Sequence, residues 1–145
     1  MEWKLHGITI VAPKLKDPRL FMIVVLCFYT IVGHTFLSFD HNWIQVLTSV
    51  LVACSLDTIL NYIKTHTIIL PVSGIITGMG LGILIESVML WPFIVAPILA
   101  IASKSLIRVK GRHIFNPSNF GLTTLLILIP TVVTTLAAQW SGSLI

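Results

Sequence analysis

Long stretches without charge constrain this chain more than any other feature of its sequence. Residues 20–39 and 113–145 contain no Lys, Arg, Asp or Glu, and several further apolar runs lie between them. A helix needs roughly 20 apolar residues to cross the hydrocarbon layer of a membrane. Only 10% of the 145 residues are charged, whereas a soluble domain carries about 25%. We therefore predict an all-α, polytopic transmembrane helical protein.

The apolar runs predict five spans, at residues 20–39, 44–63, 67–91, 92–107 and 117–138. Residues 1–18 are predicted to form an N-terminal cytoplasmic arm, because Pro13 and Pro18 interrupt them and they lack the continuous apolar run of a signal peptide. Residues 19–145 are predicted to form one five-helix transmembrane domain.

The distribution of positive charge predicts the orientation of these spans. With the N-terminus inside, all nine Lys and Arg residues fall in inside segments, and the outside loops hold Asp40 and Glu86. We therefore predict a multi-pass protein of the cell membrane with its C-terminus outside. The net charge of +4 then reflects membrane orientation, and no nucleic-acid partner is expected. The basic segment 104–112 is expected to meet anionic lipid.

The third span is predicted to be discontinuous between Pro71 and Gly78. Pro71 disfavours helix at the preceding residue, so a short helix over 67–72 would be followed by a second one that Ser73 caps. Gly74, Gly78 and Gly82 lie at four-residue spacing and form one stripe of small residues on a helix. The stripe is consistent with close helix packing, and also with a broken helix that forms a ligand site.

The fifth span begins with a turn that carries several polar side chains. Pro117 suits the first helical position, which makes Asn116 the N-cap. Arg112 and His113 come just before this helix start, and Asn119 lies in its first turn. The segment is consistent with a phosphate or carboxylate site, and equally with an ordinary capped helix beside a membrane anchor.

Asp57 lies inside the second predicted span, near its cytoplasmic end, whereas Glu86 lies close to the outer end of the third. A charge at that depth requires a partner, and Lys64 and Lys104 are the two candidates. Cys27 and Cys54 fall within apolar runs and are predicted to be small buried residues. The sequence contains no pattern typical of a nucleophilic triad or a metal cluster, so we predict no catalytic and no metal-binding residues.

The chain contains two motifs, "SGIITG" at 73–78 and "GRHIFNPSNFG" at 111–121. In these motifs it resembles the RnfD and NqrB family of membrane subunits. Within that family, the resemblance is greatest to the UnbU-like branch. The resemblance covers about residues 45 to 140. It implies one five-helix half of a fold that has two inverted repeats. Members of the family carry flavin and belong to complexes that couple electron transfer to ion transport.

The resemblance also implies which residues contact a cofactor. These are the motif positions Ser73, Gly74, Thr77, Gly78, Arg112, His113, Asn116 and Asn119. The motif that carries covalent flavin in the family does not occur in this chain. Non-covalent flavin or quinone is therefore the cofactor to expect, if one is bound.

Three functions are consistent with these observations. The first is a structural or assembly subunit of a multi-subunit membrane complex, which contacts other membrane subunits or a second copy through lateral helix contacts and is not catalytic alone. The second is an electron-transfer subunit that binds flavin or quinone non-covalently. The third is a half-unit of a small-solute channel. We take the first as the leading hypothesis.

Overall fold

Five helices form most of the described chain. The computed structural model describes residues 2–5, 8–14, 16–36, 42–109 and 112–135, with side chains from Val11 onwards except that of Arg112. The helices are α1 (Pro18–Phe36), α2 (Trp43–Thr65), α3 (Val72–Leu84), α4 (Pro92–Leu106) and α5 (Pro117–Leu128). The structure therefore confirms a mainly helical chain with five helices.

Short strands join the helix ends. The strands are β1 (Glu2–Leu5), β2 (Ile8–Val11), β3 (Thr67–Ile69), β4 (Ile85–Glu86), β5 (Arg108–Val109), β6 (Arg112–His113) and β7 (Thr134–Thr135). β1 and β2 form an antiparallel hairpin, and β2 pairs in parallel with β3. β5 pairs with β6, and β4 pairs with β7. The segment predicted as an N-terminal arm is thus attached by backbone hydrogen bonds to the connection between α2 and α3.

Two of the helices are long and apolar enough to cross a membrane by length and composition. They are α1, with 19 residues, and α2, with 23. α3, α4 and α5 have 13, 15 and 12 residues. Each of these three is therefore about 20 Å long, which is shorter than the hydrocarbon layer of roughly 30 Å. The sequence predicts five full-length spans, and two of the described helices are long enough to be such spans.

The third predicted span is interrupted, but its first part is a strand. Thr67–Ile69 forms β3, because two β-branched isoleucines follow a β-branched threonine and favour extended backbone. α3 begins at Val72 and its N-cap is Pro71, with no side-chain cap hydrogen bond. The predictions of a short helix over 67–72 and of a cap by Ser73 are both wrong.

The fifth helix is shorter than predicted. α5 ends at Leu128 rather than at 138, and the backbone of Ile129 is no longer helical, with φ at −142°. Pro130 explains this end, because a proline disfavours helical conformation at the residue before it. A turn then leads into β7. Residues 37–41, 110–111 and 136–145 lie outside the described residues.

The glycine stripe is a helix-packing surface. A Cβ atom at Gly78 would lie 2.5 Å from Val50 Cα, and one at Gly74 would lie 3.0 Å from Cys54 Cα. Gly82 meets Val46 in the same way. The contacts run in opposite directions along the two helices, so α2 and α3 are antiparallel. The packing interpretation of the stripe is therefore confirmed by geometry.

A second close crossing joins α4 and α5. A Cβ atom at Gly121 would lie 2.5 Å from the carbonyl oxygen of Ala96. Around this crossing lies the hydrophobic core, whose buried members are Leu81, Ile85, Phe93, Ala96, Ala100, Leu122, Leu125 and Val133. The core therefore lies among α3, α4 and α5, and it draws in β4 and the segment after α5.

The cysteines do not match the prediction of two buried residues. Cys27 is exposed on α1, and its Sγ lies 4.0 Å from the sulfur of Met79. Cys54 is half-buried at the crossing of α2 and α3. An apolar run can face either the core or the outside of a bundle, and the sequence pattern does not separate the two.

Candidate functional site: a cavity at the basic end of the bundle

One end of the bundle contains a cavity of about 560 Å³. The starts of α1, α3 and α5, the end of α4 and the segment from His113 to Phe115 line it. Lys64 and His66, at the end of α2, precede β3 and so lie at this same end. Because successive helices run in opposite directions, charged residues that are far apart in the sequence lie at the same end of the bundle.

Lys104 is the central contact of this end. Its ammonium donates to Asp57 Oδ1 at 2.6 Å and to Ser73 Oγ at 2.9 Å. The Asp57 side chain is 6% exposed and that of Lys104 is 18% exposed, so the ion pair is largely removed from solvent. Because the three residues belong to α2, α3 and α4, the contact joins three helices.

The start of α5 also lines the cavity. Asn116 Oδ1 accepts from the backbone N–H of Ser118 at 3.1 Å, and Pro117 occupies the first turn. The prediction that Asn116 caps this helix is confirmed. Asn116 is itself exposed. Ser118 Oγ donates weakly, at 3.4 Å, to the carbonyl of Thr77 on α3.

The start of α1 repeats this construction. Asp17 Oδ1 accepts from the backbone N–H of Arg19 at 3.0 Å, with Pro18 between them. The guanidinium of Arg19 pairs with the same carboxylate at 3.1 Å. The hydrogen bond from the Arg19 backbone, followed by that from its side chain, holds the pKa of Asp17 below its ordinary value. Arg19 also lines the cavity.

The cavity brings together residues from both sequence motifs. Ser73, Thr77, His113, Asn116 and Asn119 all line it. Two other predicted site residues, Gly74 and Gly78, face α2 instead and have a packing role. The remaining one is Arg112, whose backbone forms β6 and whose side chain lies outside the described part of the structure.

Sequence reasoning missed two basic residues that line the cavity, Arg19 and Lys104. Lys104 was predicted as one of two partners for Asp57, and the structure selects it over Lys64. Its contact with Ser73 could not be read from spacing, since 31 residues separate the two. The available signal was a lysine that directly follows the apolar run of the fourth span.

The arrangement can hold an anion beside an apolar surface. Lys104 and Arg19 supply positive charge, the starts of α3 and α5 supply partial positive charge, and Met22, Leu26 and Ile76 supply apolar walls. Within the described residues, no group of three His, Cys, Asp or Glu side chains is placed to hold a metal ion.

Comparison with known proteins does not assign the chain to a family. No family model, curated protein or solved structure matches the chain. The resemblance to RnfD and NqrB therefore stays a prediction drawn from the two motifs.

Proposed function

We propose that this chain is an integral membrane subunit that supports the assembly of a larger membrane complex through lateral helix contacts. In this proposal it spans the membrane of the cell several times, with its basic end at the cytoplasmic face. The leading support is the exposure of α1.

The exposed surface of α1 is mostly apolar from Phe21 to Phe36. Only 11% of its apolar window is buried in the described structure, although its mean hydropathy is 1.7. The core helix of a soluble protein would be mostly buried, so this observation favours lipid or a partner helix around α1. The large residues Phe21, Val24, Phe28 and Ile31 are exposed at alternating three- and four-residue spacing. That spacing is typical of a seam against another helix.

The other long helix supports the same placement. α2 exposes Leu47, Leu51 and Ile59, while it buries the polar residues Ser49 and Asp57. Small and polar residues between helices with large apolar residues outside are typical of helices packed in a membrane. Ser49 Oγ, for example, donates to the carbonyl of Gly78 at 2.9 Å across the α2–α3 crossing.

Electron transfer with non-covalently bound flavin or quinone is the second candidate. It is favoured by the cavity, because residues of both family-like motifs meet there around a space of about 560 Å³. A volume of this size lies in the range of ordinary ligand sites.

Membrane extraction and complex size test the leading proposal. We expect the tagged chain to remain with membranes in alkaline carbonate and to be released by detergent. The detergent-solubilised chain should migrate as part of a complex larger than the monomer of 16.0 kDa. Release by carbonate alone would contradict membrane integration.

A pair of variants then separates assembly from insertion. Phe21→Ala combined with Phe28→Ala should reduce the size of the complex and leave carbonate resistance unchanged, because the bulk of the seam is lost while the helix stays apolar. Ile98→Ala, an exposed apolar residue of α4, is the matched control. Unchanged complex size in the double variant would argue that this face of α1 contacts lipid only.

A further inference from the structure

We propose that the cavity at the basic end binds a phosphate-bearing amphiphile, with its phosphate beside Lys104 and its apolar part along α1 and α3. The proposal rests on the membrane location proposed above, and it specifies the chemistry of the ligand. A phospholipid and a flavin nucleotide share this chemistry, and the experiment below distinguishes them.

The first support is the geometry of the Lys104 ammonium. An ammonium has three N–H donors, and among the described residues Asp57 and Ser73 take two of them. Lys104 lines the cavity, so its third donor is available to a ligand there. The two hydrogen bonds hold the ammonium in place, which lowers the entropic cost of ordering it around a ligand.

The second support is the meeting of two helix starts in the cavity. α3 has no side-chain cap, and Ser73 in its first turn lines the cavity. α5 also begins at the cavity, where Asn116 caps one amide and Asn119 is among the lining residues. The N-terminus of a helix carries a partial positive charge and free N–H groups. Both helix starts therefore favour an anion between them.

The charges that face the cavity leave a surplus of positive potential. Asp57 balances Lys104, and Asp17 balances Arg19 at the surface. The partial positive charges of the two helix starts have no acidic counterpart among the residues described as lining the cavity. A phosphate would supply the missing negative charge and accept several hydrogen bonds at once.

The third support is the apolar wall. Met22 and Leu26 on α1 face the cavity together with Ile76 and Leu84 on α3, and Gly80 leaves a strip of that helix without a side chain. Free phosphate would leave these side chains in contact with water. A neutral quinone or diacylglycerol would leave the polar end without a partner. One molecule that carries both parts satisfies the whole cavity.

Matched ligand pairs test the proposal on the detergent-purified full chain. The pairs are flavin mononucleotide against riboflavin, and phosphatidylglycerol against diacylglycerol, with binding measured by equilibrium titration and by thermal unfolding. We expect the phosphate-bearing member of at least one pair to bind about tenfold more tightly than its partner, which corresponds to one charge-assisted hydrogen bond. Its affinity should fall as salt is raised.

The pair that shows the difference identifies the source of the phosphate, either cofactor or lipid. Equal binding within both pairs, or no binding of any of the four compounds, would overturn the proposal. Neither result would affect the carbonate-extraction test, so the proposed membrane function can stand while this inference fails.

Variants then place the ligand in the cavity. Arg19→Gln should weaken the binding of the phosphate-bearing compound about tenfold, because it removes one charge-assisted contact. Lys64→Gln removes one positive charge at the same end of the bundle but does not line the cavity, and should bind as the wild type does. Asp57→Asn combined with Lys104→Met tests the ammonium without leaving an unpaired buried charge. Wild-type affinity in both the Arg19 variant and the double variant would show that the phosphate binds elsewhere.

Discussion

The ammonium of Lys104 lies 2.6 Å from Asp57 Oδ1, although 47 residues separate the two in the chain. Both side chains lie among helices, and Ser73 is the second acceptor for the same ammonium. Removal of one charge therefore leaves the other without a partner in a region of low dielectric.

The first prediction concerns this ion pair. Lys104→Met should lower the free energy of unfolding by about 3–5 kcal/mol, because Asp57 then remains buried without its partner. The double variant Asp57→Asn with Lys104→Met should recover most of that loss, because both charges are removed together. Thermal and chemical unfolding in detergent of the four proteins of the cycle measures the coupling. Additive losses in the double variant would show that the pair is not coupled.

The second prediction compares two glycines of one helix. Gly78→Ala should destabilise the protein strongly, because the new Cβ would lie 2.5 Å from the backbone of Val50. Gly80→Ala should be neutral or should stabilise α3 by up to about 1 kcal/mol, through the higher helix propensity of alanine. The nearest atom to a Cβ at Gly80 is the Ser118 hydroxyl, at 3.3 Å, and this side chain can rotate. Equal unfolding temperatures for the two variants would contradict the tight crossing of α2 and α3.

Leu81 is not a suitable control for this comparison, although its place in an apolar run suggests that it faces lipid. Its side chain is fully buried, in the core cluster that also contains Phe93 and Leu125. Leu81→Ala should therefore cost about 2–5 kcal/mol, the usual range for a buried leucine.

The third prediction concerns the N-cap of α5. Asn116→Ala should lower stability by about 0.5–2 kcal/mol, because the Ser118 amide loses its acceptor. Asn116→Asp should retain most of the stability, since aspartate caps helices as well as asparagine does. Ser118→Ala should cost less than Asn116→Ala, because the hydroxyl makes only a long contact of 3.4 Å. The reverse order would show that the cap is not what stabilises this helix start.

The fourth prediction is a pH dependence at the start of α1. The hydrogen bonds and charge of Arg19 lower the pKa of Asp17 in the folded state. This stabilisation is therefore complete above the ordinary aspartate pKa of about 4, and it is lost as the pH falls through the lower folded value. Asp17→Asn keeps a capping oxygen that does not titrate. The unfolding temperature of the variant should fall less than that of the wild type between neutral and acidic pH.

The fifth prediction concerns topology. Lys14 lies just before α1, and Val88 is an exposed residue between α3 and α4, at the opposite end of α3 from Ser73. In a background without Cys27 and Cys54, Lys14→Cys should react with an impermeant thiol reagent only from the cytoplasmic side, and Val88→Cys only from the other side. Labelling of both positions from one side would contradict the proposed orientation.

The sequence by itself determined that the chain is mainly helical, that its described part contains five helices, and that Asn116 caps α5. Each of these depends on patterns within about 20 residues. The length of an apolar run shows whether a helix can span a membrane. An Asn-Pro pair supplies a capping oxygen and fixes the backbone of the first helical turn. The break at Pro71 and the stripe of glycines were predictable for the same local reason.

Tertiary structure decided the features that depend on distant neighbours. Thr67–Ile69 became a strand because β2 offers a partner some sixty residues earlier in the chain. Asp57 pairs with Lys104 rather than with Lys64, because helix packing brings the end of α4 next to α2 and α3. Cys27 stays exposed although its sulfur lies 4.0 Å from that of Met79, because α1 contacts the bundle mainly through α3 and no other described helix covers that position. Hydropathy along a chain reports which residues avoid water, but lipid and protein interior satisfy that requirement equally, so only packing determines which surface each apolar residue covers.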